Sequence, residues 1–349
     1  MHYLSRLVTN CLRFGLFPIQ FIDAYIFRCA LFTSLPGDVQ QKLKDFIRSI
    51  HQNASFYSTS VYFRPRRTTT TTTEAQQNDE PSDQVLFCFD GHTGLTEFYQ
   101  FSKQRWSLSP VLELPCRLQP GSNLQLLAAG SKLYLAASNS KQVTAESNKL
   151  WSQNLAPANA QQWIERTAMT SRRLYCSTVV FEDQFLFALG GFDDNTCRTF
   201  ASCERYDCAR NLWSPAVAPL AVARYAAAAT TFLGCIYIAG GVNVRRRAER
   251  SVERYDPAAS EEGEDRWTAA APMIRARFGF ALAAFAGRLW AIGGYNEDHQ
   301  ELASVESYDS LTDSWREEPP LALGPRSCHA AAEFGGELIV VGGQRKSGE

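Results

Sequence analysis

Three cysteines, Cys197, Cys203 and Cys208, fall within twelve residues of sequence. Thiolates gathered so closely could ligate zinc, which takes four nitrogen or sulfur ligands in a tetrahedron. Against that, the ten cysteines contain no Cys-x-x-Cys pair, and the nearest histidines, His92 and His299, lie about a hundred residues away. Neither a zinc site nor a thioredoxin-like redox centre is therefore expected. Double glycines at Gly190-Gly191, Gly240-Gly241, Gly293-Gly294 and Gly342-Gly343 could cradle a phosphate. No Gly-Lys-Ser/Thr follows any of them, and no helix is expected to begin there. His2, His51, His92, His299 and His329 form no motif with a nucleophile, and no Gly-x-Ser-x-Gly elbow occurs. The residues thus argue against an enzyme, and no metal, cofactor or small-molecule ligand is expected.

The remaining chemistry lies in arginines that recur. Arg117, Arg173, Arg224, Arg277 and Arg326 each follow a tryptophan (Trp106, Trp163, Trp213, Trp267, Trp315) by ten or eleven residues. A guanidinium can fork onto a partner's carboxylate or onto backbone carbonyls of its own fold. The sequence leaves both readings open.

What must position these arginines is a repeat. The glycine pairs end apolar runs, "QFLFALGG", "CIYIAGG", "RLWAIGG" and "ELIVVGG", at spacings of 50, 53 and 49. After three of them come "SCERYD", "SVERYD" and "SVESYD", and then the tryptophan. The Tyr-to-Trp gap is seven from Tyr206 and Tyr308 and twelve from Tyr255, where "PAASEEGED" lengthens a turn. Two degenerate copies precede these, "VLFCFDG" with Tyr99 and Trp106, and "SKLYLAAS" with Trp163. Five units and the opening of a sixth are recognisable. Repeats at this period predict stacked supersecondary units.

Upstream, residues 1–52 show helical apolar spacing and are expected to be α-helical. Residues 53–82 hold Arg64-Pro65-Arg66-Arg67 and six threonines, Thr68 to Thr73, and are expected to be a disordered linker. The first 32 residues are apolar but broken by Arg6, Arg13, Asp23 and Arg28, which argues against a membrane span or a cleavable leader. A net charge of -1 gives no reason to expect nucleic acid or membrane partners. The chain reads as cytoplasmic, with reduced thiols.

From residue 83 to 349 the pattern resembles the kelch repeat, in which each unit is a four-stranded blade of a β-propeller. The resemblance implies an all-β, six-bladed propeller with a truncated sixth blade. It places Cys203 where other blades carry Ser251 and Ser304. The helical segment followed by "RPRR" resembles part of a BACK domain, as in BTB-BACK-kelch proteins. In that family a BTB domain docks on a cullin scaffold, and the propeller captures a client for ubiquitination. The chain reads as a fragment of such an adaptor without the BTB domain, with cullin contact expected only in a longer form. An actin-binding kelch protein is the alternative. Some kelch propellers are copper oxidases, but the tyrosine and histidine ligands of that site have no match here.

The end of the chain after "RKSGE" implies that the outer strands of the last blade, and the strand closing the first, are missing, so that the propeller is open. The family places partner contacts at Arg173, Arg224, Arg277, Arg326 and Ser327. The loops after the glycine pairs face the same side and add Phe192, Arg245, Tyr295 and Gln300. A ring of arginines would favour a client with an acidic extended segment, and the acidic insert Glu261 to Asp265 is expected on the opposite face.

Overall fold

The computed structural model describes residues 58–63, 85–90, 96–100, 105–108, 122–139, 148–154, 162–215, 217–261, 265–322, 324–334 and 337–344. The helical segment expected over 1–52, the basic cluster Arg64 to Arg67, and Arg117 lie outside the described residues. No described helix is long and apolar enough to cross a membrane.

The chain folds into antiparallel sheets taken in sequence order. The first is β1 (Ser58–Phe63), β2 (Val85–Asp90), β3 (Thr96–Gln100) and β4 (Arg105–Leu108). The second is β5 (Ser122–Ala129), β6 (Lys132–Asn139), β7 (Leu150–Asn154) and β8 (Ile164–Arg166). In the third, β9 (Ser177–Phe181) and β10 (Phe185–Leu189) lead into a small hairpin, β11 (Phe192–Asp193) with β12 (Arg198–Thr199). The third sheet is completed by β13 (Cys203–Asp207) and β14 (Leu212–Ser214).

A short β15 (Arg224–Tyr225) opens the fourth unit, followed by β16 (Ala228–Phe232), β17 (Cys235–Ala239), β18 (Val242–Asn243), β19 (Val252–Tyr255) and β20 (Trp267–Ala270). There β15 pairs β18, and β16-β17-β19-β20 form the blade. The fifth blade is β21 (Ala281–Phe285), β22 (Arg288–Ile292), β23 (Val305–Asp309) and β24 (Ser314–Glu318). The sixth sheet has two described strands, β25 (Ser327–Phe334) and β26 (Glu337–Gln344). This is the all-β propeller that the repeat implied, with five four-stranded blades and a two-stranded sixth.

Two expectations are corrected. Ser58–Phe63 lies inside the stretch read as linker, yet it pairs antiparallel with β2 from Ser58↔Asp90 to Phe63↔Val85. The propeller therefore begins before residue 83. The same strand overturns the open ring. The innermost strands β1, β5, β9, β16, β21 and β25 each neighbour the next, and β1 lies against both β25 and β5. "STSVYF" is rich in strand-forming Thr, Val, Tyr and Phe, so it can supply that closing strand.

The central strands read as continuous apolar runs because blades cover both faces. Ile236 to Ala239 of β17 and Leu186 to Leu189 of β10 are all buried. Three core clusters lie between successive blades. One joins Tyr134 and Leu150 to Leu186, Tyr206 and Trp213; one joins Phe187 to Ile236 and Tyr255; one joins Tyr237 to Leu289 and Tyr308. In the third, fourth and fifth blades the repeat tyrosine touches its tryptophan, with ring centroids 5.1–5.3 Å apart. The tyrosine also meets an aromatic ring of the preceding blade at 6.0–6.2 Å. Polar tips are satisfied locally. Tyr206, Tyr255 and Tyr308 donate to Asn211, Asp265 and Asp313, and the Trp213, Trp267 and Trp315 indoles donate to the Thr167, Ala218 and Ala271 carbonyls. The tyrosine–tryptophan pair thus pins each blade to the segment entering it.

The glycine pairs are required where blades meet. Gly240 has φ +63°, and a Cβ there would stand 2.4 Å from the Arg277 carbonyl oxygen of the next blade. Gly190 and Gly293 face the Arg224 and Arg326 carbonyls in the same way. Gly240→Ala is therefore expected to cost about 2–4 kcal/mol through left-handed strain plus overpacking. Gly234→Ala, at φ +73° with nothing within 4 Å, is expected to cost only about 1 kcal/mol. Urea denaturation of the two variants measures the difference, and equal losses would refute the inter-blade assignment.

Candidate functional site

Three of the recurrent arginines are turned into the fold. Arg173, Arg224 and Arg277 are 0–1% exposed, and each lies inside its own blade. Nη1 donates to the first glycine carbonyl (Gly190, Gly240, Gly293) at 2.7–2.9 Å. It also donates to the Ser202, Ser251 and Ser304 carbonyls, and Nη2 reaches the hydroxyls of those same serines. The charge is met by a carboxylate two residues further on. Arg173 Nε pairs with Glu204 at 2.9 Å, Arg224 Nη2 with Glu253 at 2.7 Å, and Arg277 Nη2 with Glu306 at 2.5 Å. Of the two readings that the sequence left open, the structure realises the one internal to the fold.

Each glutamate performs a second task. Glu204 accepts from the Thr170 and Ser171 amides, Glu253 from Ala221 and Val222, and Glu306 from Ile274 and Arg275. The carboxylate thus fastens the inter-blade connection to the third strand. Burial pulls the Arg224 and Arg277 guanidinium groups below their ordinary range, opposed by Glu253 and Glu306. Strand register also corrects the placement of Cys203. It pairs with Leu189 as Val252 pairs with Ala239 and Val305 with Ile292. Ser202, not Cys203, therefore occupies the position of Ser251 and Ser304.

The cysteine trio is dispersed. Cys203 is buried, with its thiol pushed up to about 12 by burial; Cys208 is half-buried and Cys197 exposed. Among the described residues no three His, Cys, Asp or Glu side chains are gathered as metal ligands would be.

The glycine pair sets the surface on which the sequence reading placed partner contacts. The residue after it bridges the residue after the arginine: Phe192 with Leu174, Val242 with Tyr225, Tyr295 with Phe278. Phe192 is half-buried, its ring 5.2 Å from Tyr225; Tyr295 is half-buried and stacked on Phe278 at 5.2 Å. Gln300 is exposed and tied to Asn296, whose side chain donates to it. Arg245, Arg246 and Arg247 are exposed on a turn fixed by Asn243 Oδ1, which accepts from the Arg245 and Arg247 amides. Ser327 is buried, its hydroxyl donating to Glu301, and Arg326 is half-buried, with Nη1 donating to the Gly342 carbonyl.

Of the sequence-predicted contacts, then, Phe192, Arg245, Tyr295 and Gln300 reach this surface, whereas Arg173, Arg224, Arg277 and Ser327 are inside. Tyr175, Tyr225 and Phe278, not singled out in the sequence, line the same surface. Their signal was positional, one or two residues after the recurrent arginine.

Most exposed positive charge on this face belongs to the fourth blade's loop, with Arg198 exposed on the third blade's hairpin. The third blade's loop carries Asp193 and Asp194, the latter paired with Arg172 at 2.8 Å. The fifth carries Glu297 and Asp298. Arg247 and Glu297 stand 3.7 Å apart, and both are too exposed for that pair to hold strongly. The helix Pro257–Glu261 and Asp265 occupy the turn between β19 and β20. That turn is at the other end of the strands, on the side expected for the acidic insert.

Fold and site together define a kelch-repeat propeller, a protein-binding module. The family model for the Kelch motif matches residues 172–218, 223–274 and 276–322. The repeat region is similar to kelch-like proteins. It is 29% identical over 187 residues to mouse Kelch-like protein 35, covering 54% of this chain and 30% of that protein. Zebrafish Kelch repeat and BTB domain-containing protein 8 is 33% identical over 119 residues, covering 31% and 19%. Beta-scruin of Limulus polyphemus is 33% identical over 117 residues, covering 33% and 13%. The matched region thus spans less than a third of each relative. The solved structure of YjhT superposes with a TM-score of 0.55 at 16% identity, covering 66% of this chain and 75% of that one, and it shows the fold alone.

Two outcomes test the buried frame. Glu253→Ala strands Arg224 without its carboxylate and is expected to cost about 3–5 kcal/mol in equilibrium unfolding. Arg224→Lys should not restore stability, since an ammonium cannot fork onto two carbonyls, a hydroxyl and a carboxylate. A second prediction concerns His329, which is 6% exposed at the place Phe280 fills one blade earlier. Burial, then the nearby Arg326, lowers its pKa to about 4. The folded state holds the ring neutral while the unfolded chain protonates near 6.5, so the unfolded state binds more protons between those values. Stability is expected to fall as pH drops from about 6.5 to 4, by up to roughly 3 kcal/mol. His329→Phe should flatten that part of the pH–stability curve.

Proposed function

We propose that the glycine-pair face captures a client protein through an acidic extended segment. In longer forms that carry a BTB domain, the captured client would be delivered to a cullin-RING ubiquitin ligase. The observation that carries the client reading is the fourth blade's loop, where three exposed arginines project from a turn held by Asn243. Beside them lie Tyr225 and Phe192, whose rings offer apolar area next to charge. A carboxylate-bearing strand would find forked donors and a flat ring within one blade's width. With Arg173, Arg224 and Arg277 paired to glutamates inside the blades, recognition of acidic groups is assigned to this loop.

The likeness to a zebrafish protein whose name includes a BTB domain supports the adaptor reading. The likeness to beta-scruin favours a second reading, an actin-binding kelch protein. One experiment separates them. Affinity capture from cell extract with the wild-type chain and with the triple variant Arg245→Glu, Arg246→Glu, Arg247→Glu should yield a client that the variant binds about tenfold or more weakly. The wild-type complex should weaken with added salt. Equal capture by both chains would overturn the acidic-segment reading. Co-sedimentation with purified actin filaments would support the second.

A further inference from the structure

The loop after the fourth blade's glycine pair concentrates positive charge on a fixed turn. Asn243 fastens it through main chain and side chain alike. Its amide donates to the Arg247 carbonyl and its carbonyl accepts from Arg246, while Oδ1 accepts from the Arg245 and Arg247 amides. Arg246 at the tip has left-handed backbone, φ 58°. The roots of three exposed arginines are thus set before any ligand arrives, which lowers the cost of binding one. Arg250 is exposed as well, and Glu249 is engaged by the side chains of Asn243 and Ser251.

The fifth blade repeats this turn with the opposite charge. Asn296 donates to the Gln300 carbonyl, accepts from His299, and through Oδ1 accepts from the Asp298 and Gln300 amides. Counted from the asparagine, Glu297 and Asp298 stand where the fourth loop has Val244 and Arg245, and both are exposed. Arg247 and Glu297 are 3.7 Å apart, so the acidic turn adjoins the basic one. On the third blade's side Asp194 is paired with Arg172, and Arg198 is exposed. Excess positive charge is therefore confined to the width of one blade.

That confinement decides the ligand. An acidic run, a nucleic-acid backbone or an anionic membrane surface spreads its charge and would meet Glu297 and Asp298, a repulsion that selects against them. A phosphomonoester places a charge of about −1.5 to −2 and several acceptor oxygens on one side chain, a match for forked donors held at one turn. We infer that the fourth blade's loop is a phosphoserine-binding site for a client segment. A short side chain suits it, because Tyr225 pairs with Val242 at the base of this loop and its ring lies 5.2 Å from Phe192. The client's next residue can then rest on those rings. The inference rests on the acidic-segment reading and narrows it: the acid is a phosphate, and the client is captured in its phosphorylated form.

The probes are fluorescent pools of short peptides with randomised flanks, added to the full chain and read by anisotropy. Their centres are phosphoserine, serine, one glutamate, or a run of acidic residues. The phosphoserine pool is expected to bind about tenfold or more tightly than either acidic pool, and the serine pool not to saturate. Phosphoserine binding should be lost in the triple variant Arg245→Glu, Arg246→Glu, Arg247→Glu. Glu297→Gln with Asp298→Asn should strengthen binding of the acidic run more than that of phosphoserine. An acidic run that binds as tightly as phosphoserine to the wild-type chain would overturn the inference, as would phosphoserine binding that survives in the triple variant. Tighter binding of a single-stranded DNA oligonucleotide or of phosphatidylserine vesicles would assign the loop to a polyanion and sink it too. Phosphatase treatment of the extract separates this inference from the reading beneath it. Capture should then be lost; capture that persists and still needs the arginines overturns the phosphoserine site alone, whereas equal capture by wild-type chain and triple variant overturns the acidic-segment reading itself.

Discussion

A buried guanidinium meeting a buried carboxylate is the interaction on which this propeller depends. Such pairs are expensive to desolvate and are tolerated where additional hydrogen bonds meet the remaining donors and lone pairs. Here Arg224 spends its fork on the Gly240 carbonyl, the Ser251 carbonyl and hydroxyl, and Glu253, while Glu253 also accepts two amides. The same set recurs around Arg173 and Arg277. One charged pair therefore ties together the second strand, the third strand and the incoming connection of a blade. Arginine suits the position because its donors are planar and fixed; a lysine would offer one point charge to four acceptors.

The loop surface proposed for recognition follows from that frame. The glycine after the arginine's acceptor turns the chain against the next blade, and the following residue bridges back beside the arginine. Phe192, Val242 and Tyr295 are thereby held at equivalent heights, and the loops beyond them are free to differ. Acidic side chains in the third and fifth loops and basic ones in the fourth are variations on one mount. Selectivity can change there without disturbing the buried pairs, because none of the loop charges belongs to them.

Periodicity made most of the fold legible. The glycine pairs, the tyrosines and the tryptophans recur at one spacing, and each fills one structural role. Function was harder to read, since a recurrent arginine looks the same whether it awaits a partner or a carbonyl. The deciding sign lay in "SCERYD", "SVERYD" and "SVESYD", where Ser-x-Glu recurs as faithfully as the arginine does. Charges that repeat in matched numbers inside apolar surroundings point inward. β1 was illegible for a different reason. A six-residue strand separated from its partner by 21 residues, the polythreonine run among them, carries no repeat spacing, and only the closure of the ring reveals it. Cys203 shows the limit of alignment by eye: one residue of slip exchanges the face of a strand.

One feature of the axis mouth carries a mechanical meaning. Tyr175, Ala226, Gly279 and Cys328 all adopt left-handed backbone, with φ of 51–57°. Ala226 donates to the Tyr175 carbonyl, Gly279 to Ala226, and Cys328 to Gly279, at 2.7–3.0 Å. Four successive blades are thus laced by their main chains into an arc around a cavity of about 540 Å³ lined largely by Ala, Thr and Val, with Leu124, Leu126, Phe280 and His329 among them. Because the lacing uses amides and carbonyls, it is indifferent to which side chains stand there, and it works as a hoop. A load that pries one blade outward is shared along the arc, so the rim resists splaying even where the blades' side chains have diverged.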